Sequence, residues 1–86
     1  MYIAQYSPKA LKDLKKLKKT VYFEKAKRLL DSIKQNPYNP DNGFEYLSGD
    51  MEGYISKRIN IQYRIVHQVL EDRKVVRILR MWTHYE

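Results

Sequence analysis

The sequence predicts an α+β fold, with a two-helix hairpin packed on one face of a mostly antiparallel sheet. Three observations predict it. A short strand-like segment opens the chain, two stripes of helical periodicity follow, and the second half runs as three apolar segments parted by turn residues. A length of 86 residues argues for a single domain, 1–86.

Tyr2 to Tyr6 alternates weakly and reads as the first strand. Ser7-Pro8 is a helix start, with Ser7 as N-cap and Pro8 at the first helical position. Leu11, Leu14 and Leu17 follow at three-residue spacing, extended by Ala10 and Val21, while the lysines at 9, 12, 15, 16, 18 and 19 fall mostly off that stripe. Thr20 is placed to cap a second helix, whose apolar face is Phe23, Ala26, Leu29, Leu30 and Ile33. Asn36-Pro37 ends it, because a residue before proline is pushed out of the helical region. The short break between the helices predicts an antiparallel hairpin.

Residues 36–43, Asn-Pro-Tyr-Asn-Pro-Asp-Asn-Gly, form a loop by composition. Strands are then expected over Tyr54–Ile59, Tyr63–Leu70 and Val75–Trp82, with Glu71-Asp72-Arg73 as the turn between the last two. Strand parity puts Tyr63, Ile65, His67 and Val69 on one face and Arg64, Val66, Gln68 and Leu70 on the other. The first set is the better core face, which makes His67 structural. Arg58, Arg64, Arg77 and Arg80 sit on strands where a purely structural sheet would prefer apolar or short polar groups, so the helix-free face is the one left for function.

The balance of 17 Lys+Arg against 10 Asp+Glu gives a net charge of +7, which favours a polyanionic partner such as nucleic acid, an acidic protein or an anionic membrane, the plain alternative being a charge that only keeps the protein in solution. The absence of cysteine excludes disulfides, thiolate metal sites and Cys nucleophiles. No apolar run follows the N-terminus as in a signal peptide, and none reaches the roughly 18 residues of a membrane span. The cytoplasm is the expected compartment, with no membrane association.

No phosphate-binding glycine loop, nucleophile elbow or paired-histidine motif is present, and one terminal histidine with scattered carboxylates makes no metal site. The expectation is no cofactor and no metal. Chemistry in this chain must be simple acid–base work. RNA cleavage needs only that, because the ribose 2′-hydroxyl is a nucleophile already beside the scissile phosphate. The protein must supply a base, cations for the phosphorane and an acid for the leaving 5′-oxygen. Arginine suits the phosphate through its planar fork, and an aromatic ring can stack a splayed base. Glu45, Arg58, Arg64, His84 and Tyr85 offer that set. Taken singly they are unremarkable: Glu45 lies in an acidic stretch with Asp41, Asp50 and Glu52, and His84 stands in a terminal aromatic cluster. Spacing alone does not bring them together.

Four segments in order resemble one family: Glu45-Tyr46-Leu47, Gly53-Tyr54-Ile55-Ser56-Lys57-Arg58-Ile59, Tyr63-Arg64-Ile65-Val66-His67, and the closing Thr83-His84-Tyr85. They are similar to the Txe/YoeB branch of the RelE/ParE toxin superfamily of type II toxin–antitoxin systems. The resemblance covers essentially the whole chain and implies a RelE-like microbial RNase fold. It also implies a ribosome-dependent endoribonuclease, an mRNA interferase that cuts message in the decoding site and so inhibits translation. In that pattern Glu45 matches the general base, Arg64 the phosphate-stabilising arginine, His84 the general acid and Tyr85 the terminal tyrosine that orders the substrate. Arg58 matches a second basic residue near the site.

The sequence also departs from the pattern. Trp82 stands where many members carry arginine, so Trp82 and Arg80 become candidate substrate contacts. Ser48 replaces a common basic residue, and Glu86 follows the tyrosine. The implied partners are the ribosome with its mRNA and an acidic antitoxin of the YefM type, with operator DNA reached only through the antitoxin complex and a homodimer left open. Lys12, Lys15 and Lys16 are expected to grip the ribosome, since a small toxin must dock before it cuts; by themselves they read as a solvated helix face. The competing readings are a ParE-like toxin that binds gyrase or blocks the ribosome without cutting, and a general nucleic-acid-binding module.

Overall fold

The computed structural model describes residues 1–41 and 43–82. Strand β1 (Ile3–Tyr6) ends at Ser7, whose extended backbone (φ −68°, ψ 161°) turns the chain into helix α1 (Pro8–Leu17). The Ser7 hydroxyl oxygen accepts the Ala10 N–H at 3.0 Å and donates to the Leu79 carbonyl at 2.8 Å. The predicted cap therefore also ties the helix start to the far end of the chain.

The stripe that α1 buries is not the one the leucine spacing suggested. Ala10 and Leu17 are fully buried and Leu14 partly so, but Leu11 is 49% exposed and the fourth buried position is Asp13. Thr20 does not cap the next helix. Its hydroxyl donates to the Leu17 carbonyl and accepts the Tyr22 N–H, closing the turn, and α2 (Phe23–Gln35) starts behind Tyr22 with no side-chain cap. Asn36 ends α2 in an extended conformation, as the following proline requires.

Two-residue β2 (Glu45–Tyr46) was not expected from the sequence; it is followed by β3 (Ile55–Arg58), β4 (Arg64–Leu70) and β5 (Val75–Arg80). The expected turn at 71–73 is a single 3₁₀ turn, completed by Lys74 in the left-handed region (φ 54°). The sheet order is β1-β5-β4-β3-β2, with β1 parallel to β5 and every other pair antiparallel. The α+β architecture is the one expected, a helical hairpin on a mostly antiparallel sheet.

Both helices cover one face. Leu17, Ala26, Leu29, Leu30 and Ile33 pack with Ile59, Ile65, Val76 and Ile78, and Ala4, Tyr6 and Tyr63 join at the margin. Each large aliphatic chain so buried contributes about 1.5–3 kcal/mol. His67 lies on this face, fully buried, with its Nε2 3.2 Å from the Pro37 carbonyl oxygen. Burial holds its pKa down at about 4, helped by the nearby Lys57 charge and opposed by the Pro37 hydrogen bond. Lys57 is also fully buried, and its ammonium meets Asp41 at 2.6 Å.

At the opposite end of β4, Tyr2 and Tyr38 both donate their hydroxyls to Glu71, which also pairs with Lys74. These bonds, that of Lys74 first, draw the Glu71 pKa down to about 2, and the bond to Glu71 pushes the Tyr38 hydroxyl up to about 12.

Candidate active site

The strand register decides which of the candidate residues meet. Glu45 pairs with Ser56 across β2–β3, and two residues along β3 Arg58 pairs directly with Arg64 on β4. Ser56 and Arg58 share a side of β3, so Glu45, Arg58 and Arg64 all belong to the face opposite the helices. Directly opposed side chains in an antiparallel pair stand about 4.5–5.5 Å apart at Cβ, and like charges so placed repel. Among the described residues neither arginine meets a carboxylate within ion-pair distance. Two arginines set side by side on one sheet face are suited to an anion.

Two local features steer the arginines. The β3–β4 turn is an Asx turn: Asn60 Oδ1 accepts the Gln62 N–H at 2.9 Å and the Tyr63 N–H at 2.6 Å, while Ile59 N–H donates to Tyr63 O at 2.8 Å. The turn therefore brackets residues 60–62 and sets Arg58 against Arg64. Gly43, with φ +65°, supplies the second feature. A Cβ there would lie 2.9 Å from Cγ and Cδ of Arg58, so the arginine stem runs across the bare glycine backbone just before Glu45.

Glu45 itself is exposed and lines a cleft of about 220 Å³ with Tyr46, Leu47, Ser48 and Met51. Phe44 and Tyr46 flank it with rings edge to face at 5.0 Å. Ser56, between Glu45 and the arginines, is fully buried and its hydroxyl has no hydrogen-bond partner among the described residues.

The other candidates separate from this group or lie beyond it. Arg80, expected as a substrate contact, has its guanidinium held by Asp13, with Nε 2.8 Å from Oδ2 and Nη2 3.3 Å from Oδ1. Trp82 packs on the core and stacks on Tyr63, with centroids 4.5 Å apart and planes at 23°, and Lys16 Nζ is 5.4 Å from its ring centre. Lys12, Lys15 and Lys16 are exposed on α1, in the helix layer on the other side of the sheet. His84 and Tyr85 lie outside the described residues.

Sequence reasoning missed Asp13. The signal was available: α1 carries one acidic residue among four lysines, and it falls four residues before Leu17 and three after Ala10, on the buried stripe.

Comparisons with known proteins agree with this architecture. The family model of the ParE toxin of type II toxin–antitoxin systems, parDE, matches residues 4–86, and the chain belongs to that family of toxins. No curated protein matches the chain. Among solved structures, the YoeB/ParE toxin from Agrobacterium tumefaciens superposes with a TM-score of 0.87 at 26% identity, covering 96% of this chain and 99% of that one. The YoeB dimer from Staphylococcus aureus gives 0.81 at 30% identity and 98% coverage of both chains. The heterotetrameric YoeB–YefM complex from the same organism gives 0.82 at 28% identity and 99% coverage of both. Within the RelE/ParE superfamily the chain falls in the YoeB-like branch.

Proposed function

We propose that this toxin is a ribosome-dependent endoribonuclease that cuts mRNA in the decoding site without a metal ion, acting in the cytoplasm as one domain of residues 1–86. The observation that carries the reading is the Arg58–Arg64 pair on the helix-free face, with Glu45 one strand away. A like-charged cross-strand pair costs stability that a bound anion would offset, and a scissile phosphate is such an anion.

In this mechanism Glu45 removes the proton of the ribose 2′-hydroxyl, and the 2′-oxygen attacks phosphorus. Arg64 and Arg58 neutralise the charge that builds on the phosphorane oxygens. His84 protonates the departing 5′-oxygen, leaving a 2′,3′-cyclic phosphate and a free 5′-hydroxyl. Tyr85 orders the substrate, and Trp82 and Arg80 border the path by which message would approach. Lys12, Lys15 and Lys16 hold ribosomal RNA.

The partner is an acidic antitoxin, which a +7 domain attracts and whose flexible segment orders on binding. The solved complex of a YoeB with YefM supports that partner, and the solved YoeB dimer supports self-association. Operator DNA is reached only through the antitoxin complex.

Primer extension on ribosome-bound message after induction tests the reading. Discrete cuts are expected, lost in Glu45→Gln, Arg64→Ala and His84→Gln proteins that remain folded. Translation arrest or DNA breakage with intact message would instead identify a non-enzymatic inhibitor of the ribosome or of gyrase.

A further inference from the structure

The junction between α1 and the end of β5 is built around one buried carboxylate. Asp13 is 2% exposed and accepts three hydrogen bonds, two from the Arg80 guanidinium and one from the Met81 N–H at 3.0 Å. A buried ion pair is weak evidence of stabilisation, because desolvation cancels much of the attraction. A leucine at this point of the α1 stripe would fill similar space. It could not hold a guanidinium and a backbone amide at fixed positions, and that is what the carboxylate adds.

What it holds is the last stretch of described chain. Leu79 is tied to Ser7, Arg80 and Met81 to Asp13, and the Trp82 carbonyl accepts the Arg64 N–H at 3.1 Å. The chain at 79–82 is thus fixed from the helix layer on one side and from β4 on the other. The β4 contact is made by the same residue whose guanidinium stands in the arginine pair. His84 follows two residues later.

We infer that Asp13 is a positioning residue for the C-terminal segment: by clamping Arg80 and Met81 it fixes the backbone that leads into His84, the proposed general acid. The catalytic half of this inference rests on the mRNA-cleaving reading above. The anchoring half does not, and Trp82, the chain's one tryptophan, reports it directly.

The test is Asp13→Asn in the full chain, with circular dichroism to establish folding. The asparagine keeps an oxygen for Met81 but loses the charge that holds Arg80. Trp82 emission is expected to shift to the red and its quenching by acrylamide to rise. On ribosome-bound message kcat should fall about a hundredfold, as for a misplaced reacting group, with KM little changed. A folded variant whose Trp82 emission and quenching match wild type overturns the inference, whatever the cleavage assay gives. A moved Trp82 with wild-type kcat overturns the positioning role. Wild-type protein that cuts no message overturns the ribonuclease reading, and the Trp82 measurement then decides the anchor alone.

Should the asparagine variant not fold, Arg80→Gln carries the test, since it removes two of the three bonds. Red-shifted Trp82 emission in the free protein is again expected. If Arg80 served only as a substrate contact, its loss would leave that emission unmoved, and that result overturns the inference.

Discussion

Acidification should destabilise this domain through His67, in a window set by that residue. The ring is fully buried against Ile55 and Ile78 on the neighbouring strands, and Nε2 faces the Pro37 carbonyl. Its folded pKa is about 4, against 6.5 for the free side chain, because burial penalises the imidazolium. Below pH 6.5 the unfolded chain takes up a proton that the folded chain refuses. The stability is therefore complete above pH 6.5 and is lost as the pH falls toward 4. The 2.5-unit gap corresponds to about 3 kcal/mol in total, and between pH 7 and pH 4.5 to about 2 kcal/mol. Urea unfolding followed by circular dichroism, in wild type and in His67→Gln, isolates the term. Glutamine can still donate to Pro37 but cannot titrate. Wild type should lose about 2 kcal/mol more than the variant over that interval. Parallel losses in the two proteins would refute the argument, and would place the imidazole in contact with water or with an anion.

A second acid transition belongs to Glu71, whose depressed pKa of about 2 makes its clasp on Tyr2, Tyr38 and Lys74 complete above pH 4.5 and lost as the pH falls toward 2; Glu71→Gln should flatten stability in that lower range only. Gly43→Ala should cost about 1–2 kcal/mol in left-handed backbone strain and lower cleavage further by displacing the Arg58 stem, which urea midpoints and primer extension measure separately. Asp41→Ala should destabilise by about 1–3 kcal/mol because it removes the half-exposed partner of the buried Lys57 ammonium, whereas Lys57→Met should be close to neutral in a urea titration. Cleavage should persist in chelator so long as the ribosomes stay intact, and loss under those conditions would require a metal site that the proposed mechanism lacks.

Much of the frame was legible in the sequence because it rests on local rules. Ser7-Pro8 caps α1 through a bond to Ala10, and Asn36-Pro37 stops α2, where the short-range chemistry requires. The Ile65–His67 face is buried as parity indicates, although Val66 on the other face is buried as well. The rest depends on contacts distant in sequence. β1 lies parallel to β5, β2 is two residues long and exists only through its pairing with β3, and a register shift near Val66/His67 sets Val66 against Arg80 and His67 against Ile78. Leucine periodicity misplaced the buried stripe of α1 because it counts apolar residues, while the helix buries Asp13 in place of Leu11. A charge can take a core position only when its partner arrives from elsewhere, here from Arg80, 67 residues on.

The candidate site shows the same division. Residue types named Glu45, Arg58 and Arg64, but their meeting depends on register, and register depends on the turn. With 60–62 as the turn, Ile59 faces Tyr63 and Arg58 must face Arg64; one residue more or less would send one arginine to the helix layer. Asn60 fixes that length by holding both Gln62 and Tyr63. A sheet selected only for stability would gain from an opposite charge at 58 or 64, since like charges directly across a strand pair destabilise it. The Asx turn here enforces the unfavourable pairing, and Gly43 leaves the space for one of its members to lie flat beside the segment that carries Glu45. Local rules broken by surrounding structure that over-determines them are where functional or strained positions are expected. By that standard the arginine pair is the part of this fold least explained by folding, and the proposed anion site would account for it.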